Sequence, residues 1–381
     1  MLREQLESST TAVVRNGCIT GLGIAYAGTA REEPTEALRA IATDSSLGMD
    51  TFGQAALEVG LVNVGTGNGE LAQELVLALM ERGEVTQYNS LVRYGCLGLG
   101  LLFLGRGSEE AEPTVLALEA MESPVGRYAA LTVETCAAAG SGDVLKVQRM
   151  LSILNDSMAK AAEKADAKEK EEQEAQDSGL TEAPQPTSTG DKDEGESGAE
   201  GTEKAELYGI QPVAVVGIAL IAMAEDIGTE MAFRAFDHLL QYGDLPIRRA
   251  IPIALGLLSI SNPRVTLTDT LSKLSHDADP VVAQSAIFAL GMIGAGTNNS
   301  RIAGLLRQLA TYYQRDANHL FVVRLAQGLL HLGKGTMTLQ PFHSDRFLLD
   351  HTALAGLLIL VHSCFDLKNS MRFSLPLCYL L

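Results

Sequence analysis

An apolar stretch rich in small residues recurs along this chain at a near-constant interval, and that recurrence limits the possible folds sharply. The clearest copy is YGCLGLGLLFLG, Tyr94 to Gly105. Related stretches are NGCITGLGIAYAG (16–28), AALEVGLVNVG (55–65), LTVETCAAAG (131–140), AIPIALGLLSIS (250–261), SAIFALGMIGAG (285–296) and RLAQGLLHLG (324–333). Aligned on their last residues, Gly28, Gly65, Gly105 and Gly140 and then Ser261, Gly296 and Gly333, neighbours stand 37, 40, 35, 35 and 37 residues apart. A period of 35–40 residues is that of a solenoid, in which each supersecondary unit buries its apolar face against the next. The predicted fold is all-α, an α-solenoid of helix–turn–helix repeats.

Each unit reads as two antiparallel helices. One is amphipathic, such as Glu70 to Arg82 or Ala303 to Tyr313, with apolar residues at helical spacing. The other is the Gly/Ala-rich helix just described. Glycine inside a helix costs up to about 1 kcal/mol against alanine, so its repetition implies close helix–helix approach. The closing glycine fits a left-handed C′ position. Asn68, and Asn298-Asn299 before Ser300, are candidate caps of the following helix.

Residues 156–206 break the pattern, with sixteen acidic and six basic residues and almost no large apolar side chain. Such a segment cannot bury enough surface to offset its ordering entropy and is expected to be disordered, although its first part, to about Gln176, suits a charged extension of the preceding helix. The expected organisation is therefore helical repeats over 1–155, an acidic insert over 156–207, repeats again over 208–365, and a divergent or truncated tail over 366–381. Neither end shows the polar capping repeat that solenoids carry, which suggests a fragment.

Composition narrows the function. The net charge of −18 argues against nucleic acid, whose binders need a basic footprint. Five scattered cysteines, three of them in repeat helices, read as reduced thiols of a cytosolic or nuclear protein. MLREQLESST is too polar for a secretory signal. Ala353 to Val361 is too short to span a bilayer, which takes about 20 residues, so no membrane partner is expected.

The candidate chemistry weakens on inspection. GLG at 21–23 and 98–100 lies inside the apolar helices rather than at a strand–turn–helix junction, so packing explains it better than a nucleotide fingerprint. GRGS (105–108) and GKGT (333–336) lack P-loop spacing. SHDADP (275–280) offers His276, Asp277 and Asp279, but Asp before Pro more often caps a helix. The remaining histidines form no ligand or triad spacing. No catalytic residue, cofactor site or metal site is expected.

The best site candidate is the helix Glu70 to Arg82. Glu70, Glu74, Leu77 and Glu81 follow i, i+4, i+7 and i+11 on one face, with Gln73 beside them. Leu71, Leu75, Val76, Ala78 and Leu79 point toward other sides. A leucine among acids suits a small partner with an apolar patch rimmed by Lys and Arg, where charge adds on-rate and specificity. A solvated acidic face is the alternative.

Several strings carry a resemblance: YGCLGLGLLFLGRG, AGSGDVLKVQRML (139–151), VVGIALIAMAEDIGTEMAFRAFDHLLQYG (215–243), GAGTNNSRIAGLLRQLA (294–310) and RLAQGLLHLGKGTMTLQPFHSDR (324–346). Over about 16–365 the chain resembles the proteasome/cyclosome-repeat family, in particular the large non-ATPase scaffolds of the proteasome regulatory particle. The resemblance implies a closed helical toroid without catalytic activity, in cytoplasm and nucleus. It also implies docking on the proteasomal ATPase ring and other regulatory-particle subunits, and reception of ubiquitin, ubiquitin-like shuttle factors and a deubiquitinase. The family's receptor helix follows a G-[ST]-x-N-G turn, which GTGNGE (65–70) matches. Its acidic positions fall on Glu70 and Glu81, while a third is occupied by Leu77. The family's deubiquitinase site lies upstream of this chain's first residue. A general HEAT- or armadillo-type adaptor without ubiquitin binding remains the other reading.

Overall fold

The computed structural model describes Leu6 and residues 11–82, 91–121, 123–159, 209–342, 349–365 and 376–380. Helices alternate between two rows. The inner row is α1 (Ala12–Ala25), α3 (Met49–Val62), α5 (Val92–Leu102), α7 (Pro124–Ala137), α9 (Ile210–Ala222), α11 (Leu245–Leu258), α13 (Pro280–Ile293) and α15 (Ala317–Leu330). The outer row is α2 (Glu32–Thr43), α4 (Gly69–Met80), α6 (Ser108–Glu119), α8 (144–159), α10 (Asp226–Tyr242), α12 (Val265–Leu274) and α14 (Ser300–Tyr312). Each inner helix packs on the next inner helix, and its outer partner covers its flank. The helical solenoid expected from the period is what forms. Helix α8 runs through residue 159, four residues into the segment expected to be disordered. The rest of that segment lies outside the described residues.

Inner helices away from the ends of the array, such as α3 and α5, are apolar nearly all round because they are covered all round; all eleven residues of α5 are buried, whereas α1 and α15 bury one side only. Several of the inner-helix glycines are points of backbone contact. A Cβ on Gly98 would collide with the Ala56 carbonyl, and one on Gly60 with the carbonyl of Gly98. Outer helices bury one stripe, and some are held by side-chain caps: the Asn68 side chain accepts from the N–H of Glu70 and Leu71, and Asn299 does the same for Arg301 and Ile302.

The closing glycines do something other than terminate their own helices. Gly28, Gly65, Gly105, Gly140, Gly296 and Gly333 all have left-handed φ, between 56° and 70°, as does Ser261 at 54°. They stand three residues beyond the helix end, so they are not C′ residues. A second left-handed residue follows two positions later at Ala30, Gly67, Gly107, Gly142, Asn298 and Gly335. In five of these loops the two N–H groups so presented donate to the terminal carbonyls of the next inner helix. Gly65 and Gly67 donate to Leu101 and Leu102 at 3.0 and 2.9 Å, and Gly105 and Gly107 to Cys136 and Ala137 at 3.0 Å. Gly28 with Ala30, Gly140 with Gly142, and Gly296 with Asn298 repeat the pair. At α11/α13 only Ser261 donates, to Met292, since the second position is Pro263, which has no N–H. Between α9 and α11 the first donor position, Ala224, is not left-handed and makes no rung.

After α15 the chain returns along this loop edge. Leu339 N–H donates to Ser261 Oγ at 3.1 Å, and Asp350 N–H to Pro341 O at 2.8 Å. His351 then passes the glycines, where a Cβ on Gly105 would come within 2.9 Å of its Nε2 and one on Gly65 within 3.3 Å of its Cδ2. Helix α16 (His351–Cys364) follows and is buried along most of its length. Its His362 Nδ1 lies 3.4 Å from the Tyr128 hydroxyl of α7. Tyr379, from the segment expected to be divergent or truncated, is buried, and its hydroxyl donates to Glu58 of α3. Glu58 is 0% exposed. It also accepts from Gln54 Nε2 at 2.7 Å, while its Oε2 has no partner. Burial pushes this carboxyl up to about 8, against the opposing effect of the Tyr379 and Gln54 hydrogen bonds.

Candidate functional site

Helix α4 is held at both ends by neighbouring repeats. Before it, the GTGN turn is fixed by its two rungs and by Arg106, whose Nε donates to Gly65 O at 2.5 Å. After it, Arg82 turns back into the array. Its guanidinium carbon lies 4.3 Å from the Phe52 ring centroid, and Nη2 donates to Asp44 O at 2.7 Å. Leu71, Ala72, Leu75, Val76, Ala78 and Leu79 are buried, in agreement with the helical spacing.

The outward face carries Glu70, Gln73, Leu77, Met80 and Glu81, all exposed. Leu77 is 57% and Met80 43% exposed, an apolar pair one turn apart. Glu70 lies in the first turn, where the helix dipole favours a carboxylate. Glu74 departs from the sequence reading: it is half-buried and paired with Arg39 of α2, so it braces α2 against α4 instead of standing free among the face acids. Met80 escaped the sequence reading because a strict i, i+4, i+7, i+11 stripe steps over it.

The same arrangement recurs on α6, displaced by 39 residues, with Glu109, Glu112 and Leu116 in place of Glu70, Gln73 and Leu77. Leu116 is 58% exposed and Glu119 completes the stripe. The repeat therefore propagates an acid–leucine face as well as a fold. The SHDADP residues serve structure. Asp279 caps α13 through Val281 N–H and pairs with Arg249 at 2.7 Å, Asp277 pairs with Arg248 at 3.1 Å, and the His276 ring meets Tyr312 edge-on. Among the described residues no helix is long and apolar enough to cross a membrane.

A stacked array of paired helices, with an exposed acidic and apolar face on its outer row, defines a helical-repeat scaffold. The comparisons narrow this class. Residues 285–317 match the proteasome/cyclosome repeat. The chain is 46% identical to "26S proteasome non-ATPase regulatory subunit 2" of Dictyostelium discoideum over 97% of its own length and 36% of that protein. It is 42% identical to "26S proteasome regulatory subunit rpn-1" of Neurospora crassa, covering 94% of this chain and 35% of the relative. It is also 44% identical to "26S proteasome regulatory subunit rpn1" of Schizosaccharomyces pombe, covering 90% and 34%. The chain belongs to the proteasome/cyclosome-repeat family, among relatives of the 26S proteasome non-ATPase regulatory subunit 2. It spans about a third of the length of those relatives.

Proposed function

We propose that this chain is a non-catalytic scaffold and receptor portion of the proteasome regulatory particle. In this reading its inner rows hold the body rigid against the ATPase ring and other regulatory subunits, in cytoplasm and nucleus. Its outer helices receive ubiquitin and the ubiquitin-like domains of shuttle factors, bringing ubiquitylated substrates to the unfolding motor. The observation that carries the receptor part is the exposed Leu77–Met80 pair rimmed by Glu70, Gln73 and Glu81, on a helix fixed at both ends. Such a face suits a compact domain with an apolar patch ringed by Lys and Arg. Burying the pair supplies the apolar gain, and the acids supply steering and selectivity.

The test is a titration of a fluorescently labelled ubiquitin-like domain into the full chain at rising salt. Saturable binding that weakens with salt and falls at least about tenfold, 1.4 kcal/mol, in the Glu70→Arg/Glu81→Arg variant is expected. Exposed charge changes usually move stability by less than about 0.5 kcal/mol, so the variant should remain folded. Affinity unchanged in a folded variant would remove this face from the reading. No binding at all by the folded chain would leave a general helical-repeat adaptor with a solvated acidic face.

A further inference from the structure

The turn that leads into α4 recurs before α14, but the face it delivers has lost its acids. GTGNGE (65–70) and GTNNSR (296–301) share a Gly-Thr-Xaa-Asn turn. The backbone is left-handed at Gly65 and Gly67 in one and at Gly296 and Asn298 in the other. An asparagine, Asn68 or Asn299, then caps the helix that follows. Helices α4 and α14 therefore correspond residue for residue, 231 positions apart. Where α4 presents Glu70, Gln73, Leu77 and Glu81, α14 presents Arg301, Gly304, Gln308 and Tyr312. The change extends to the surrounding block: residues 1–155 hold nineteen acidic and ten basic side chains, residues 209–342 nine and ten, so only the second block leaves an anion unopposed.

Around the C-terminal end of α14 the carboxylates are already engaged. Asp269 pairs with Arg301, Asp277 with Arg248, Asp279 with Arg249 and Asp316 with His319. Three exposed cations remain: Lys273 of α12, Arg307 of α14 and Arg315 in the turn after it. Among the described residues none of the three has a carboxylate partner, and Arg307 Nε bonds only within its own helix, to Ala303 O at 3.2 Å. Beside them stands Tyr312, 68% exposed. Its ring meets His276 edge-on at 5.0 Å and Tyr313 at a right angle at 4.8 Å. Tyr313 in turn stacks on His319 and donates its hydroxyl to Ser275 O at 2.7 Å. A side chain fixed in this way has little freedom left to lose when a partner covers it. We propose that this end of α14 is a docking site for an acidic segment of a partner protein, with Tyr312 as apolar anchor and Lys273, Arg307 and Arg315 as charge partners. It is separate from the α4 face and selects the opposite charge. The net charge of −18 decides the kind of anion. A nucleic-acid duplex carries a charge about every 1.7 Å of its axis and would run on over acidic surface, whereas a short acidic peptide ends where the cations end. The cations supply steering and selectivity, and Tyr312 the buried apolar area.

Fluorescence anisotropy tests this, with the full chain titrated into a short labelled peptide of Glu and Asp around one central Phe. Saturable binding that weakens with salt is expected. It should fall at least about tenfold in Arg307→Glu/Arg315→Glu and about fivefold in Tyr312→Ala, while Tyr312→Phe keeps it. Should charge reversal unfold the chain, Arg307→Gln/Arg315→Gln gives the same reading with a smaller loss. Binding of a ubiquitin-like domain should be unmoved by Arg307→Glu/Arg315→Glu, so the two faces stand or fall separately. No saturable binding of the peptide by the folded chain overturns the proposal. So does undiminished affinity in a folded Arg307/Arg315 variant or in Tyr312→Ala, and so does equal affinity for a single-stranded oligothymidylate of the same charge, which would mark a general anion patch.

Discussion

Inner and outer rows use the same residue types for opposite ends. Glu58 of α3 is fully buried with one oxygen unpartnered, while Glu70, one helix later, stands in solvent at a helix N-terminus. Gly98 of α5 is pressed against the backbone of α3, whereas a Cβ on Gly304 of α14 would meet nothing within 4 Å. Leu97 is 0% exposed and Leu77 57%. Row, more than residue type, decides what a substitution does: the inner helices away from the ends of the array leave little room for an added atom or charge, and the outer row is free to specialise for partners.

The largest expected break in this contrast is at Glu58. Its carboxyl is raised in the folded state to about 8 from 4.5, so between those values the folded chain holds a proton that the unfolded chain has released. Stability therefore falls as pH rises across that window, with a limiting slope of about 1.4 kcal/mol per pH unit, and levels off above it. Glu58→Gln should abolish this slope and raise the melting temperature most at pH 8. Equal pH dependence of the two proteins in thermal melts would show that Glu58 is ionised and solvated in the fold. Gly98→Ala comes next, with an expected loss of about 1–3 kcal/mol from overpacking, read by urea denaturation. Gly304→Ala should instead gain up to about 1 kcal/mol by the same measurement, and a loss there would mean the outer face of α14 is covered. Smallest is Leu77→Asp, with under about 0.5 kcal/mol of stability change. Loss of helicity by circular dichroism would place Leu77 in the core.

Much of this contrast was legible in the sequence, because periodicity reports burial directly. The small-residue stretches became the inner row, the glycines inside them became contact points, and Asn68 and Asn299 became caps. What escaped depended on partners distant in sequence. Nothing local to Gly65 says that its N–H serves Leu101 rather than its own helix. Arg39 claims Glu74 from 35 residues away. The unit ending near Ala224 did not enter the glycine alignment because its loop lacks the left-handed residues that made the others recognisable.

The returning segment and α16 also set an order of events during synthesis. Each inner helix can dock on its predecessor as soon as it is made. Surfaces of α3, α5 and α7 that end up against His351, His362 and Tyr379 must wait for residues made some three hundred positions after α3. At about 5–20 residues per second that delay is roughly 15–60 s. Throughout it, the nascent array presents apolar surface with no occupant, and a chaperone acting on this chain would find its substrate there.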